Sequence, residues 1–120
     1  MLVIIKDDSF KRAILTALGD QDMLNILNAS QEQLVSGRDI MKLFDISHST
    51  TYRKIKWMLE NDLLVVEKMQ FTDDGKKYSL FKSAISSVNV KYDKHNVTVE
   101  AEKNANIYEG TTERFFSLGD

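Results

Sequence analysis

The 120-residue chain has no cysteine, no proline, five glycines and a single tryptophan. Without cysteine there is no disulfide framework, no thiolate metal site and no cysteine nucleophile, which suits a reducing compartment and sets a cytoplasmic expectation. Without proline there is no proline linker, and the few scattered glycines form no glycine-rich phosphate loop. Long apolar runs are missing too. The opening MLVII is followed at once by Lys6, Asp7 and Asp8, too short for a signal peptide or a membrane span, so it is expected to be a terminal strand or a clipped packing segment. Nor is there an excess of positive charge. The net charge is -2, so any affinity for nucleic acid has to come from a local patch.

What is present is ordinary globular composition, 42% hydrophobic and 28% charged. That suits one domain over residues 1–120 with a core of its own. The carboxylate pairs Asp7-Asp8 and Asp73-Asp74 fall at predicted turns, where solvated charge is normal, and catalysis would need a shielded pocket to tune them. No Ser/His/Asp arrangement stands out, and His48 and His95 lack a carboxylate constellation that would hold a metal. The expectation is therefore no enzyme, no catalytic residue, no cofactor and no metal.

Along the chain, Asp8 or Ser9 is expected to cap a helix in which Phe10, Ala13, Ile14, Ala17 and Leu18 recur at helical spacing up to Gly19. Asp20 caps a second helix carrying Met23, Leu24, Ile26 and Leu27. Ser36 begins a third, with Ile40, Leu43 and Phe44 on one edge and Arg38 and Lys42 pointing elsewhere. Asp45-Ile46-Ser47 is then a turn short enough for helix-turn-helix geometry, with Ile46 plugging the corner.

Ser47 is the expected N-cap of the next helix, residues 48–61. Thr51, Ile55 and Met58 lie within about 60° of one another and face a core, with Tyr52 and Leu59 at its margin. Ser49, Arg53, Lys56 and Glu60 fall opposite, flanked by Thr50 and Trp57. Two hydroxyls, a guanidinium and an ammonium are what a major groove can use: arginine forks onto guanine, hydroxyls bond base edges or phosphates, and lysine supplies charge. The same stripe would also suit a solvated surface helix. Trp57 either marks a partner surface or is covered by the later strands.

From Leu63 the period becomes that of strands. LLVVEKMQF and KYSLF flank a loop, residues 72–76, that contains Gly75. Helix-turn-helix followed by a hairpin is a winged helix. Lys68, Lys76 and Lys77 flank the loop, whereas Asp73 and Asp74 at its tip oppose phosphates. Residues 48–82 carry seven cations against five carboxylates, leaving the remaining 85 residues at -4. A second hairpin follows, with Val88, Val90 and Tyr92, then Val97, Val99 and Ala101, on one face around a turn at residues 93–96. That face has to cover the domain or a second subunit. The expected fold is α+β, mainly helical: a winged helix-turn-helix over 10–81, an additional C-terminal β-hairpin over 86–102, and a tail over 103–120 with late apolar residues Ile107, Tyr108, Phe115, Phe116 and Leu118.

Leu18-Gly19-Asp20 with Met23, Leu24, Ile26 and Leu27, together with residues 47–64, resembles the winged-helix transcriptional regulators grouped as ArsR-like and MarR-like. The likeness covers roughly residues 10–81. It implies a homodimer with a recognition helix, residues 48–61, in each of two successive major grooves and a wing, residues 68–78, near the backbone. Position by position, Ser49, Thr50 and Arg53 match groove-facing places, Lys54 and Lys56 match phosphate contacts, and Lys76 and Lys77 match the wing. Ser47 and His48 stand at the start of the same helix and complete the expected DNA-binding set. The lack of cysteine excludes the thiolate metal sensing of some ArsR relatives. The expected function is thus sequence-specific double-stranded DNA binding by a dimeric transcriptional regulator. The rival, motivated by the acidic balance and the late apolar segments, is a winged helix used as a protein-interaction module.

Overall fold

The structure, a computed structural model, describes residues 1–105. Along them run β1 (Val3–Ile4), α1 (Asp8–Leu18), α2 (Gln21–Ala29), α3 (Gly37–Phe44), α4 (His48–Glu60), β2 (Leu64–Phe71), β3 (Lys77–Ser83), β4 (Ile85–Asp93) and β5 (Asn96–Lys103). The fold is α+β, with these four helices and two antiparallel sheets. Helix predominates less than expected, because the strands of both hairpins are long.

A polar side chain starts every one of the four helices by accepting a backbone N–H that the first turn leaves orphaned. Asp20 accepts from Met23, Ser36 from Asp39 and Ser47 from Thr50, as their sequence positions predict. For α1 the cap is Asp7, which accepts from Phe10 at 2.9 Å, and not Asp8 or Ser9. Asp7 is the residue whose extended backbone aims its carboxylate along the helix axis; Asp8 already has helical geometry. At α3 the cap is reciprocal. The Asp39 carboxylate accepts from the Ser36 N–H at 2.9 Å while Ser36 Oγ accepts from Asp39 at 3.1 Å, a capping box that fixes the first turn.

Asp45 closes α3 in the left-handed region, φ 53°, which aspartate tolerates better than most residues and which turns the chain towards α4 within three residues. Ile46 packs against the core from that turn. One edge residue of α3 departs from expectation: Leu43 is 60% exposed, because the eight-residue helix turns only Ile40 fully inward.

A single cluster of buried apolar residues takes side chains from both ends of the described chain. Phe10, Ala13, Ile14 and Ala17 of α1, Met23, Ile26 and Leu27 of α2, and Ile55 and Met58 of α4 meet Ile85, Val99 and Ala101 from the second hairpin there. The opening segment is a terminal strand. β1 pairs with β5, giving the sheet order β1-β5-β4, and Ile5 enters the core. The inward face expected of the second hairpin holds for Val99 and Ala101, whereas Val90 and Tyr92 run past the edge of the domain and Tyr92 is 75% exposed. Trp57 is partly buried against the core.

β2 and β3 form the other sheet, with a register shift between Val66 and Lys68. Val35, in the connector before α3, bridges Phe81 of β3 through a reciprocal pair of hydrogen bonds at 3.2 and 2.7 Å, which periodicity did not suggest. The bridge pins β3 to the entrance of α3. Residues 106–120, which carry the expected tail contacts, lie outside the described residues. No helix among the described residues is long and apolar enough to cross a membrane.

Candidate nucleic-acid interface

α4 divides by burial as its periodicity predicts. Thr51, Ile55 and Met58 are buried, and Ser49, Arg53, Lys56 and Glu60 are exposed. Arg53 and Lys56 make no ion pair among the described residues. Ser47 is exposed and spends its oxygen on the helix cap, leaving its O–H proton to donate outward. Thr50 is half-buried beside the stripe, and the exposed His48 ring lies against Tyr52 with centroids 4.6 Å apart.

Lys54 departs from the expected set. Its ammonium lies 2.9 Å from Asp20 and 2.8 Å from Asp22, and its side chain keeps 13% of its accessible surface. The reason is angular: Lys54 adjoins the buried Ile55, so its stem runs inward along the α2–α4 contact and its charge meets the first turn of α2. Asp22, with help from Asp20, holds the ammonium above its ordinary value against the opposing effect of burial. For Asp20, burial acts to raise the carboxyl, but the Met23 N–H and Lys54 outweigh it and leave the group below its ordinary value. Lys54 therefore ties α4 to α2 and is withdrawn from the phosphate contacts. Lys82, counted in the basic stretch, is also lost to the surface, at 7% exposure.

Of the expected cations, Lys56, Lys76 and Lys77 converge with one that sequence reasoning missed, whereas Arg53, Ser49 and Thr50 stand outside the groove that those cations line. Between the first turn of α3, the outer side of α4 and the β2–β3 hairpin lies a groove of ≈ 850 Å³. Its apolar lining is Tyr52, Ile55, Leu59, Tyr78, Leu80 and Phe81. Around these stand Arg38, Lys56, Lys76 and Lys77, none ion-paired among the described residues, against the carboxylates of Asp39 and Glu60. Asp39 is already engaged in the α3 cap. Arg38 had been placed on the indifferent side of its helix. It comes to the groove because β3 returns beside α3 through the Val35–Phe81 bridge, a long-range pairing with no local sequence signal.

The hairpin tip retains the negative charge expected of it. Thr72 Oγ1 accepts from the Lys76 N–H at 3.0 Å and donates to Asp74, lowering that carboxyl, while Gly75 takes φ 83° to close the loop. Asp73 and Asp74 are exposed at the far end, and Lys76 and Lys77 sit on the groove side, so the two signs are separated along the hairpin. Gly37 sets the inner wall. A Cβ there would lie 2.6 Å from the Tyr52 ring, so the missing side chain is what lets Tyr52 lie down over α3. Among the described residues no group of three or more His, Asp or Glu side chains is placed to hold a metal. Compared with protein-family models, with curated proteins and with solved structures, the chain gives no match.

Proposed function

We propose that this chain is a winged helix-turn-helix DNA-binding protein of the ArsR-like and MarR-like kind, acting as a dimeric transcriptional regulator. In this reading α3, residues 45–47 and α4 are the helix-turn-helix, β2–β3 is the wing, and Val35 supplies the short third strand. The observation that carries it is the groove beside the exposed stripe of α4, where Lys56 of that stripe joins Arg38, Lys76 and Lys77, four cations without an ion pair among the described residues. Ser49, Thr50 and Arg53 then address base edges from the N-terminal half of α4. A phosphate-bearing strand lies between helix and hairpin against Arg38, Lys56, Lys76 and Lys77. With so few cations, a dimer with two half-sites brings affinity into a useful range at physiological salt.

Titration of duplex DNA at several ionic strengths tests this reading. Arg53→Ala is expected to cost about 1–3 kcal/mol and relax sequence preference, whereas Lys56→Ala weakens all sequences alike and reduces the salt slope by about 1. Binding unchanged in both variants refutes the assignment. The exposure of Phe71 (65%) and Tyr92 favours the second reading, a winged helix that binds protein. No salt-dependent binding to any duplex, together with stable capture of one protein partner, selects that reading instead.

A further inference from the structure

Among the described residues, β4 has the longest regular strand edge left open. β2 is interrupted midway by the register shift between Val66 and Lys68, β3 takes Val35 at Phe81, and β1 is two residues long. β4 lies outermost in the order β1-β5-β4, and its ladder with β5 runs regularly from Ser87 to Asp93, between the shift at Ile85/Ser87 and the turn at residues 94–95. The devices that usually blunt an edge, a proline, a central bulge or an inward-pointing charge, are absent from this stretch.

The direction of the free backbone groups follows from the turn. Asp93 and Asn96 flank a two-residue loop in which Lys94 takes φ 56°, so they exchange hydrogen bonds, and alternation gives the same role to Lys91 with Thr98 and to Asn89 with Glu100. Val88, Val90 and Tyr92 therefore aim N–H and C=O away from β5. Their side chains share the face of Val97, Val99 and Ala101, where Val88 packs partly against the core while Val90 and Tyr92 are exposed. Backbone donors, backbone acceptors and apolar side chains thus stand open along one line.

We propose that this edge pairs antiparallel with the same edge of a second copy of the chain, about a two-fold axis through Val90, joining two three-stranded sheets into one. Residues 87–93 have Val90 at their centre, so in this register every one of them has a partner. Val90 meets Val90, Val88 and Tyr92 meet each other on both sides of the axis, and these are the residues whose N–H and C=O point outward. Tyr92 then lies over the second copy's Val88 and extends the margin of its core. On the opposite face Lys91 meets Asn89, which already donates to Glu100 at 3.1 Å, so base, amide and acid stand in one row that spans about 10 Å at roughly 4.8 Å per strand. Asp93 meets Ser87. Moving the axis to Lys91 sets two ammonium groups opposite each other, and moving it to Asn89 puts Tyr92 opposite Ser86 at the irregularity. The interface rests on the described strand; only its use by two DNA half-sites rests on the proposed function.

Because the chain has no cysteine, an introduced thiol reports its own surroundings. In the full chain, Val90→Cys brings two Cα atoms to about 5.5 Å, within disulfide range, whereas the same-residue spacing in Asn89→Cys or Lys91→Cys is about 8 Å. Oxidised at micromolar concentration, Val90→Cys should form an intermolecular disulfide ahead of Asn89→Cys, Lys91→Cys and Asp73→Cys at the tip of the other hairpin. A mixture of Val88→Cys and Tyr92→Cys chains should give the mixed dimer in excess of either symmetric one. Val90→Pro removes an outward N–H and no bond to β5, so it should abolish the dimer in sedimentation while the circular dichroism of the folded chain is retained. Cross-linking fastest at Asn89 or Lys91, cross-linking at Val90 no faster than at Asp73, or a dimer unchanged by Val90→Pro overturns the proposal. Duplex binding without the cross-link leaves the DNA-binding reading standing without this interface, and the cross-link without duplex binding leaves the interface standing without that reading.

Discussion

Lys54 and Lys56 show how two residues in one helical turn come to opposite ends. Both are lysines on α4, but only Lys56 reaches solvent and the groove; Lys54 is spent on Asp20 and Asp22. The pair with partly exposed carboxylates is expected to contribute about 1 kcal/mol. Lys54→Met should accordingly lower the unfolding free energy by that amount, read as a lower urea midpoint at unchanged m, while leaving the salt slope of DNA binding unchanged, the reverse of Lys56→Ala. The pH dependence follows from the directions of the shifts. Asp20 is lowered, so its contribution is present above its ordinary value of 3.8 and is lost as pH falls through the folded value. Lys54 is raised, so its contribution is present below its ordinary 10.5 and is lost as pH rises through the folded value. Urea midpoints measured between pH 2 and 5 should therefore fall less steeply in Lys54→Met than in the parent protein. Parallel curves would remove Lys54 from this role.

At the level of elements, the junction of α3 with α4 depends on one close approach. Gly37 stands in the first turn of α3 with no conformational need for glycine, and its service is the space that the Tyr52 ring occupies. Gly37→Ala has to push aside the tip of the Tyr52 ring, which is 42% exposed and can swing outward, so it is expected to cost at most about 1 kcal/mol net, although alanine is the better helix former. In a Tyr52→Ala background the same change should become neutral or stabilising, because only the propensity remains. A double-mutant cycle by urea denaturation checks this, and additive costs would show that the ring is not the obstacle. The elements themselves were largely legible: caps at Asp20, Ser36 and Ser47, the turn at residues 45–47 and both hairpin loops stand where their residue types put them. Polar caps, left-handed aspartate and loop glycine act over a few residues, so their signals are local. The α1 cap is Asp7 and not the expected Asp8 or Ser9, within the polar run Lys6-Asp7-Asp8-Ser9, where composition cannot choose and backbone direction can.

Across the whole molecule, the apolar residues near the start divide: Met1, Leu2, Ile4 and Leu18 stay exposed while the others are buried or half-buried. Phe10, Ala13, Ile14 and Ala17 are consumed by the core, and Ile5 with them. What remains uncovered among the described residues includes Val90 and Tyr92 on β4, the outer strand of the β1-β5-β4 sheet, whose far edge has no strand partner among those residues. An unpaired edge beside exposed apolar side chains is a template for a second copy. Sedimentation at micromolar concentration should show a dimer that Tyr92→Lys with Val90→Lys shifts towards monomer. Monomer alone at those concentrations would contradict the dimeric regulator, and a dimer indifferent to both changes would place its interface elsewhere.

The amino-acid order by itself determined the helices, the starts of α2, α3 and α4 and the division of α4 into a buried and an exposed face. Periodicity and capping are properties of a few consecutive residues, so no neighbour in space is required. Only the tertiary structure decided which cations are available. Lys54 and Lys82 are withdrawn by contacts with residues far away in the chain or by burial, and Arg38 is recruited because β3 returns to Val35. A charge on a helix surface acquires its role from what packs beside it, and sequence spacing carries no record of that neighbour.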